Sequence, residues 1–588
     1  LLKLHWGPRH YRENLIALLL IAILIGMTTG FLAVGFRYLL LWASSVCWRD
    51  PFNIIGSASG FPWYLVVALP ILGGLLIGPA VAFWAPETRG AGVPEVIEAV
   101  VAREGCIRHR TTLSKLATTV ISIGSGASVG REGPIVHMGA SVGSSIAQMI
   151  RLSPEWRRVF LACGAAAGIA ATFNAPMAGM LFAAEIILVD FQVSYLSHLA
   201  ISAVTATVVS HHFLGSLPAF DIPYFELVSY WEMPLYGLLG ILAGLLGIAF
   251  IKTVGLVEDT FTACKVPIWL RPACGGLLVG LLAVLYPHVL GVGYETINLV
   301  LAAKAATGLM MVLIVCKLAA TAFSLGAGFS GGIFAPSLVL GGLLGGVFGV
   351  GVHTLWPDLT AAFPAYALIG MGALVAGTTL APITAIFTIF ELTYNFDIIL
   401  PVMTGAITSL ITVQTLYGHS IYETKLIRKG IRMLRGHDVN LLRSMQVKDY
   451  MDRNFEWVRE DTRLGELIRK AQNSAYPHFP VLNHADELIG ILSLRDLKVV
   501  LAEMGDLCEL VVASEIMCKE VYTLSLGDNF ETAFKVFEGR AFSTLPVIDQ
   551  QRPGRVVGLL KKSTLMLAYN QKVLKLDTFS KLPSQGLN

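Results

Sequence analysis

The stretch Gly124 to Gly143, GSGASVGREGPIVHMGASVG, decides how the rest of this chain is read. It sets Arg131 and Glu132 on a glycine-flanked step inside a long apolar region. Ionisable groups at membrane depth are costly and face a cavity or a partner. The stretch also recurs. From Gly331 the chain reads GGIFAPSLVLGGLLG, so Gly130, Pro134, Gly139 and Gly143 return as Gly332, Pro336, Gly341 and Gly345, each displaced by 202 positions. A second match follows: GAAAGIAATFNAPMAGMLFAAE (Gly164 to Glu185) against GMGALVAGTTLAPITAIFTIFE (Gly370 to Glu391), with Gly164/Gly370, Pro176/Pro382 and Glu185/Glu391 all 206 apart. Broken, glycine-rich segments in matching places of two halves point to a binding site at the repeat interface.

Composition agrees with a membrane setting. Of 588 residues, 55% are hydrophobic and 14% charged, with a mean hydropathy of +0.67, whereas a soluble protein carries about 25% charge. The apolar mass fills 15–415, and the tail after 436 has ordinary soluble composition. Eight scattered cysteines without a CxxC pair support neither a disulfide framework nor a zinc site. A net charge of +3 is too small to argue for nucleic acid. The run Leu15 to Phe36 reads as a membrane anchor, not a cleaved signal peptide. Lys3, Arg9 and Arg12 precede it, and Lys425, Arg428, Lys429, Arg432 and Arg435 follow the last apolar run. Short basic flanks stay cytoplasmic, so both ends are expected inside, with an even number of crossings. The basic loops Arg103 to Lys115 and Arg151 to Arg158 are expected on the same side.

Glycine and proline interrupt the hydropathy at Gly73–Gly74, Gly90–Pro94, Gly124–Pro134, Asn174–Pro176, Gly326–Pro336 and Ala381–Pro382. Lipid does not tolerate the backbone groups such breaks expose, so they are buried in protein or line a wet cavity. The expected fold is therefore an all-α polytopic membrane protein with two inverted repeats of broken, tilted, partly re-entrant helices. Spacing alone leaves the relative orientation of the halves open; inversion is the commoner arrangement for a midplane site. The expected divisions are an N-terminal segment 1–14, a membrane domain 15–425 with halves 15–215 and 230–425, a linker 426–445, and a tail 573–588 after a soluble domain 446–572. That domain holds its own repeat. Val447 to Met451, His478 to Leu482 and Gly490 to Asp496 return about 66 residues later as Ala513 to Met517, Thr544 to Ile548 and Gly558 to Lys561. Two tandem α/β modules follow, 446–504 and 511–572.

A membrane site for an anion must release what it binds, and a full positive charge holds too firmly for rapid passage. Helix N-termini supply partial positive charge and free N–H donors instead. Gly90-Ala-Gly-Val-Pro94, Gly130-Arg-Glu-Gly-Pro134 and Gly332-Ile-Phe-Ala-Pro336 suit that role, with glycine permitting close approach and proline fitting the first helical turn. The competing reading of any one segment is tight helix packing through small residues.

Together GREGP at 130–134, GGIFAP at 331–336, the GxGxP form at 90–94, NAPMAG at 174–179 and ELTYNF at 391–396 resemble the CLC family of chloride channels and chloride/proton antiporters, and the tail resembles the paired CBS domains of many members. The resemblance runs from about residue 15 to 570. It implies a homodimer in lipid, each subunit with its own pathway for chloride or another small anion. Glu132 would be the gating glutamate, a carboxylate that imitates the bound anion and competes with it; an ion pair with Arg131 is its structural alternative. Ala91, Gly92, Arg131, Gly133, Gly332, Ile333, Phe334 and Ala335 would line the anion positions, with Ile333 and Phe334 giving backbone amides. Tyr422, in Ser420-Ile-Tyr-Glu423, matches the family's pore tyrosine; without the resemblance it reads as an interfacial aromatic anchor. Lys115 matches a family lysine near the pathway, or is a cytoplasmic-side basic residue.

This chain departs from the family pattern at two positions. Ala91 stands where GSGxP-type members carry a serine whose hydroxyl touches the central anion, which predicts a weak, poorly discriminating inner site. Antiporters commonly carry a further glutamate on the inner proton route directly after the position of Glu185; here it is Ile186, which cannot relay a proton. This favours channel-like flow, with an antiporter as the alternative and Glu185 or water as substitute relay. In the CBS pair, Ser493 and Asp496 fit the family's ribose- and phosphate-binding pattern, while the second module holds Lys561 and Thr564 instead. An adenine nucleotide is one reading of that pair and a structural or dimer-stabilising module the other.

Rival classes fare less well. An intramembrane metalloprotease needs HExxH, and none of the thirteen histidines, including His211–His212, stands in it, so no enzyme, metal or cofactor is expected. A CBS-bearing cation channel needs acidic residues at a hydrated site, where these breaks offer glycine amides. There is no regular arginine ladder for voltage sensing. A prokaryotic plasma (inner) membrane suits the short loops, with the N-terminus and CBS domains cytoplasmic.

Overall fold

The computed structural model describes residues 10–215, 220, 228–431, 442, 445–474, 476–494, 496–497, 511–537, 543–549, 552 and 554–569. The chain forms two compact units, Leu1–Met433 and Leu434–Asn588. Of the expected N-terminal segment, positions 1–9 lie outside the described residues, as do the tail 573–588 and most of the linker.

The first unit is helical. In chain order its helices are α1 (His10–Cys47), α2 (Ile54–Gly60), α3 (Trp63–Pro79), α4 (Val93–Ala102), α5 (Thr111–Gly124), α6 (Glu132–Met149), α7 (Pro154–Phe173), α8 (Pro176–Phe182) and α9 (Val193–Leu214). There follow α10 (Met233–Ala263), α11 (Arg271–Leu285), α12 (Tyr294–Leu301), α13 (Thr307–Ala327), α14 (Phe334–Leu355), α15 (Phe363–Thr379), α16 (Pro382–Thr393), α17 (Ile399–Leu416) and α18 (Ile421–Arg428). Among the described residues, seven of these helical stretches are long and apolar enough to cross a membrane, and four apolar helices are shorter. At 38 residues α1 is about 57 Å long, well beyond the hydrocarbon core, so it must tilt to bury its apolar length.

Sequence dictates where the helices break. α7 stops at Asn174, left-handed at φ 62°, and Pro176 opens α8. The second half repeats this, with Leu380 at φ 56° closing α15 and Pro382 opening α16. Proline suits a first turn, where its missing N–H costs nothing.

Packing repeats as the sequence does. α6 lies on α7 as α14 lies on α15, α7 on α9 as α15 on α17, and α1 on α9 as α10 on α17. Contacts between the halves are reciprocal. Gly74 abuts Pro272 and Ala273 while Gly276 abuts Pro70 and Ile71. Glu391 accepts from the amides of Met177 (2.9 Å) and Ala178 (2.7 Å) at the start of α8. Glu185 in turn accepts from Ile383 (3.2 Å) and Thr384 (2.7 Å) at the start of α16. Each carboxylate caps the other half's helix, as a two-fold relation requires. The far end of α16 thus meets the start of α8, so the two helices run antiparallel and the halves are inverted.

The second unit holds two three-stranded sheets. β1 (Val458–Arg459) pairs parallel with β2 (His478–Leu482), which pairs antiparallel with β3 (Leu488–Ser493). β4 (Leu524–Ser525), β5 (Thr544–Ile548) and β6 (Val556–Lys561) repeat that order. The modules exchange edges: Asp452 bridges Leu559 of β6, and Cys518 bridges Ile491 of β3. Accordingly Val447 packs into the core of Leu524, Phe530 and Leu560, and Ala513 into that of Val458 and Phe479.

Candidate functional site

The interrupted segments of both halves converge. The Gly130 N–H donates to the Gly332 carbonyl at 2.8 Å, and the Gly332 N–H returns a bond to the Gly130 carbonyl at 2.6 Å. The Gly331 N–H donates to the Gly90 carbonyl at 3.3 Å. Only glycine allows this approach: a methyl group on Gly332 would stand 2.7 Å from the Gly133 nitrogen, and one on Gly92 would stand 2.7 Å from the Gly133 oxygen. Gly92 also adopts φ +88°, which side chains disfavour. The starts of α4, α6 and α14 are thereby gathered at one place.

Each start is shaped locally. Gly92 precedes α4, and its N–H is held by Glu95 at 3.0 Å. Arg131 precedes α6 and Ile333 precedes α14. Phe334 packs its ring on Phe173 (5.5 Å) and Phe182 (6.5 Å), and Ala335 lies against Gly130. Lys115 corrects the reading that placed it in a basic loop. It is fully buried within α5, and its ammonium donates to the Thr88 and Gly90 carbonyls, both at 2.8 Å. A buried charge must be paired or hydrogen-bonded, and here it braces the turn that leads into α4.

Glu132, the first residue of α6, is 1% exposed. One carboxylate oxygen accepts from the Tyr294 hydroxyl at 2.6 Å, with Arg131 Nε 3.9 Å away. The other oxygen lies against Gly130 and has no hydrogen-bond partner. Tyr422 sits buried in α18, within electrostatic reach of Glu132, and its hydroxyl finds no partner among the described residues. Ser420 and Glu423 cap that helix reciprocally, through Glu423 N–H to Ser420 Oγ (3.1 Å) and Ser420 N–H to Glu423 Oε2 (2.9 Å).

Cavities approach the cluster from two sides. One of about 320 Å³ reaches Ala91 and Ile333 and is lined by Arg89, Glu95, Lys425 and Arg428. Another of about 430 Å³ reaches Arg131 and Tyr294 and is lined by Arg37, His288 and Glu295. They share no lining residue. Glu185 is engaged with α16, and Ile186 is buried in the π-helical turn Ala183–Leu188. Ser493 and Asp496 belong to the other unit and cap one another: Asp496 Oδ2 accepts from the Ser493 N–H (2.9 Å) and hydroxyl (2.7 Å).

Sequence reasoning overlooked three features here. Lys317, 202 positions after Lys115, is equally buried and donates to the Val289 and Gly291 carbonyls, both at 3.0 Å. The turn it braces, Gly291-Val-Gly293, repeats Gly90-Ala-Gly92 with both glycines at positive φ in each. Tyr294 follows that turn. The offset of 202 that exposed the first repeat leads from Lys115 to Lys317, and an offset one residue shorter leads from Gly90, Gly92 and Val93 to Gly291, Gly293 and Tyr294.

This is the interior of a membrane transport protein, with backbone donors and a buried carboxylate gathered between inverted halves. Residues 73–414 match the family described as voltage gated chloride channel, and 447–503 and 513–570 match the CBS domain. The chain is 36% identical over 425 residues to the putative chloride channel protein ClcB-like of Ralstonia nicotianae, covering 71% of this chain and 98% of that protein. It is 32% identical over 418 residues to the H(+)/Cl(-) exchange transporter ClcA of Yersinia pseudotuberculosis, covering 70% and 87%. A slow cyanobacterial Cl-/H+ antiporter shares the fold with TM-score 0.64 and 26% identity, over 72% of this chain and 99% of that one. A eukaryotic CLC transporter shares it with TM-score 0.67 and 21% identity, over 94% and 98%. The chain belongs to the voltage gated chloride channel (CLC) family of membrane anion channels and transporters, which are not enzymes, and carries two CBS domains.

Proposed function

We propose that the protein conducts chloride along a path between the two cavities, gated by Glu132, in channel-like fashion. One observation carries the reading: Glu132, at the start of α6 where the interrupted segments meet, keeps one carboxylate oxygen buried and unpartnered. A carboxylate at a helix N-terminus occupies the place an anion would take. Ala91, Gly92, Gly133, Gly332, Ile333, Phe334 and Ala335 supply the backbone around that place, Tyr422 a free hydroxyl, and Arg131 a nearby charge. Weak dipolar donors let the ion leave, as conduction demands.

Ile186 supports uncoupled flow, because an isoleucine in a buried turn transfers no proton. A chloride/proton antiporter is the second reading, favoured by the exchanger named at 32% identity. A cation channel is the remote one. The protein is read as a homodimer in the plasma membrane, with its N-terminus and CBS pair in the cytoplasm on the strength of the basic flanks. Nucleotide at Ser493 and Asp496 would have to compete with the cap those residues already form. Paired chloride and proton flux in sealed vesicles tests the proposal. Chloride flux without proton movement, altered in rate by Glu132→Gln, supports it; chloride-driven proton uptake selects the antiporter, cation current eliminates both, and an unaltered Glu132→Gln removes Glu132 from the gate.

A further inference from the structure

The geometry points to Tyr294 as the latch that holds the Glu132 gate shut from the side of the 430 Å³ cavity, with Lys317 as its support. This deepens the reading of Glu132 as a gate and rests on it. Tyr294 belongs to the second repeat and Glu132 to the first, so their 2.6 Å hydrogen bond crosses the interface between the halves. A phenol donating to a carboxylate makes a charge-assisted bond, stronger than a neutral one. An anion that displaces the carboxylate must therefore also break this bond.

Everything around the tyrosine fixes its aim. Gly293 at φ +94° turns the chain into α12, and Tyr294 is that helix's first residue. The buried Lys317 ammonium fastens the preceding carbonyls of Val289 and Gly291. Phe220 meets the ring edge-on at 4.7 Å, and the Arg131 guanidinium stands 4.9 Å from its centroid. The hydroxyl consequently has one place to point. In the first repeat the corresponding brace, Lys115, sets a turn followed by Val93, which carries no hydroxyl. The pseudo-symmetric frames are thus used differently: one leads to the cavity beside α18, the other to a lock on Glu132. Tyr294 is a positioning residue, since it acts on the ion through Glu132.

The test uses the full-length protein in liposomes, with chloride concentration varied on both sides. Tyr294→Phe keeps the ring packing and removes only the hydroxyl. The chloride concentration for half-maximal flux should fall about ten- to a hundredfold, the effect of losing one hydrogen bond to a charged partner, and this shift should exceed any change in maximal flux. In a Glu132→Ala background Tyr294→Phe should shift nothing further, because the carboxylate it holds is gone. Lys317→Gln, which loosens the turn, should shift half-saturation in the same direction. An unchanged half-saturation in Tyr294→Phe while Glu132→Ala alters it overturns the latch alone, as does an equal shift in both backgrounds. No response to Glu132→Ala overturns the gate on which the latch rests.

Discussion

Ala91→Ser should tighten chloride binding, and the structure sets the size of the effect. Ala91 is 4% exposed at the edge of the 320 Å³ cavity, between two glycines at positive φ. Its turn is fixed before any ion arrives: Lys115 holds the Gly90 carbonyl at 2.8 Å and Glu95 holds the Gly92 N–H at 3.0 Å. A serine there adds one donor to a preorganised frame, with a single short rotor to order. A hydrogen bond to a charged partner contributes roughly 1.5–3 kcal/mol. Chloride affinity should therefore rise about ten- to a hundredfold, since 1.4 kcal/mol is roughly a factor of ten. Isothermal titration of the purified protein measures this directly. Ala91→Val, which adds bulk without a donor, should not tighten binding. Equal affinities in wild type and the serine variant, with the fold intact, would refute the account of Ala91.

Other consequences follow from the same contacts. Gly332→Ala forces a methyl group to 2.7 Å from the Gly133 nitrogen; the overpacking should cost about 1–3 kcal/mol, with flux lost in vesicles even where gel filtration shows folded protein. Glu391→Gln and Glu185→Gln each exchange an oxygen for an amide group and strand one helix-start N–H; each should lower the melting temperature, as expected for a loss of roughly 1–3 kcal/mol. In the CBS pair, burial lowers the proton affinity of His478, with nearby Lys561 adding to the effect and Asp496 opposing it. The unfolded chain then binds the proton more tightly, so the contribution of His478 to stability is complete above a pH of about 6.5 and fades as the pH falls toward the lowered value. Protection of the β2 amides from hydrogen exchange, taken relative to the intrinsic rate at each pH, should fall over that window, and His478→Phe should flatten the response; pH-independent protection in the wild type would contradict it.

Much of this was legible because the repeat is written in glycine. Pro134 with Gly130, and Pro336 with Gly332, mark helix starts by their own chemistry, so their pairing could be anticipated from spacing. The Lys115 brace was harder to see. Its position after Arg103, Arg108 and Arg110 looks like a solvated loop, and only the folded chain reveals the two carbonyls that make burial tolerable. Gly291 escaped because its offset from Gly90 is 201, one residue short of the 202 that links Lys115 to Lys317. The Tyr294–Glu132 bond joins residues 162 positions apart. No local pattern encodes such a contact; it exists only once the halves interlock. For the same reason the CBS modules looked self-contained, although Asp452 completes the edge of β6.

The central claim is that helix starts, rather than charged side chains, create a resting place for a negative ion between the halves. Crystals grown in bromide, with anomalous density recorded at the bromine edge, test it most directly. The account predicts a peak beside the amides of Ile333 and Phe334 and the Tyr422 hydroxyl, and a further one where the Glu132 carboxylate stands once Glu132 is replaced by alanine. Bromide found only on the basic side chains of the two cavities, with nothing at those amides in either protein, would contradict it.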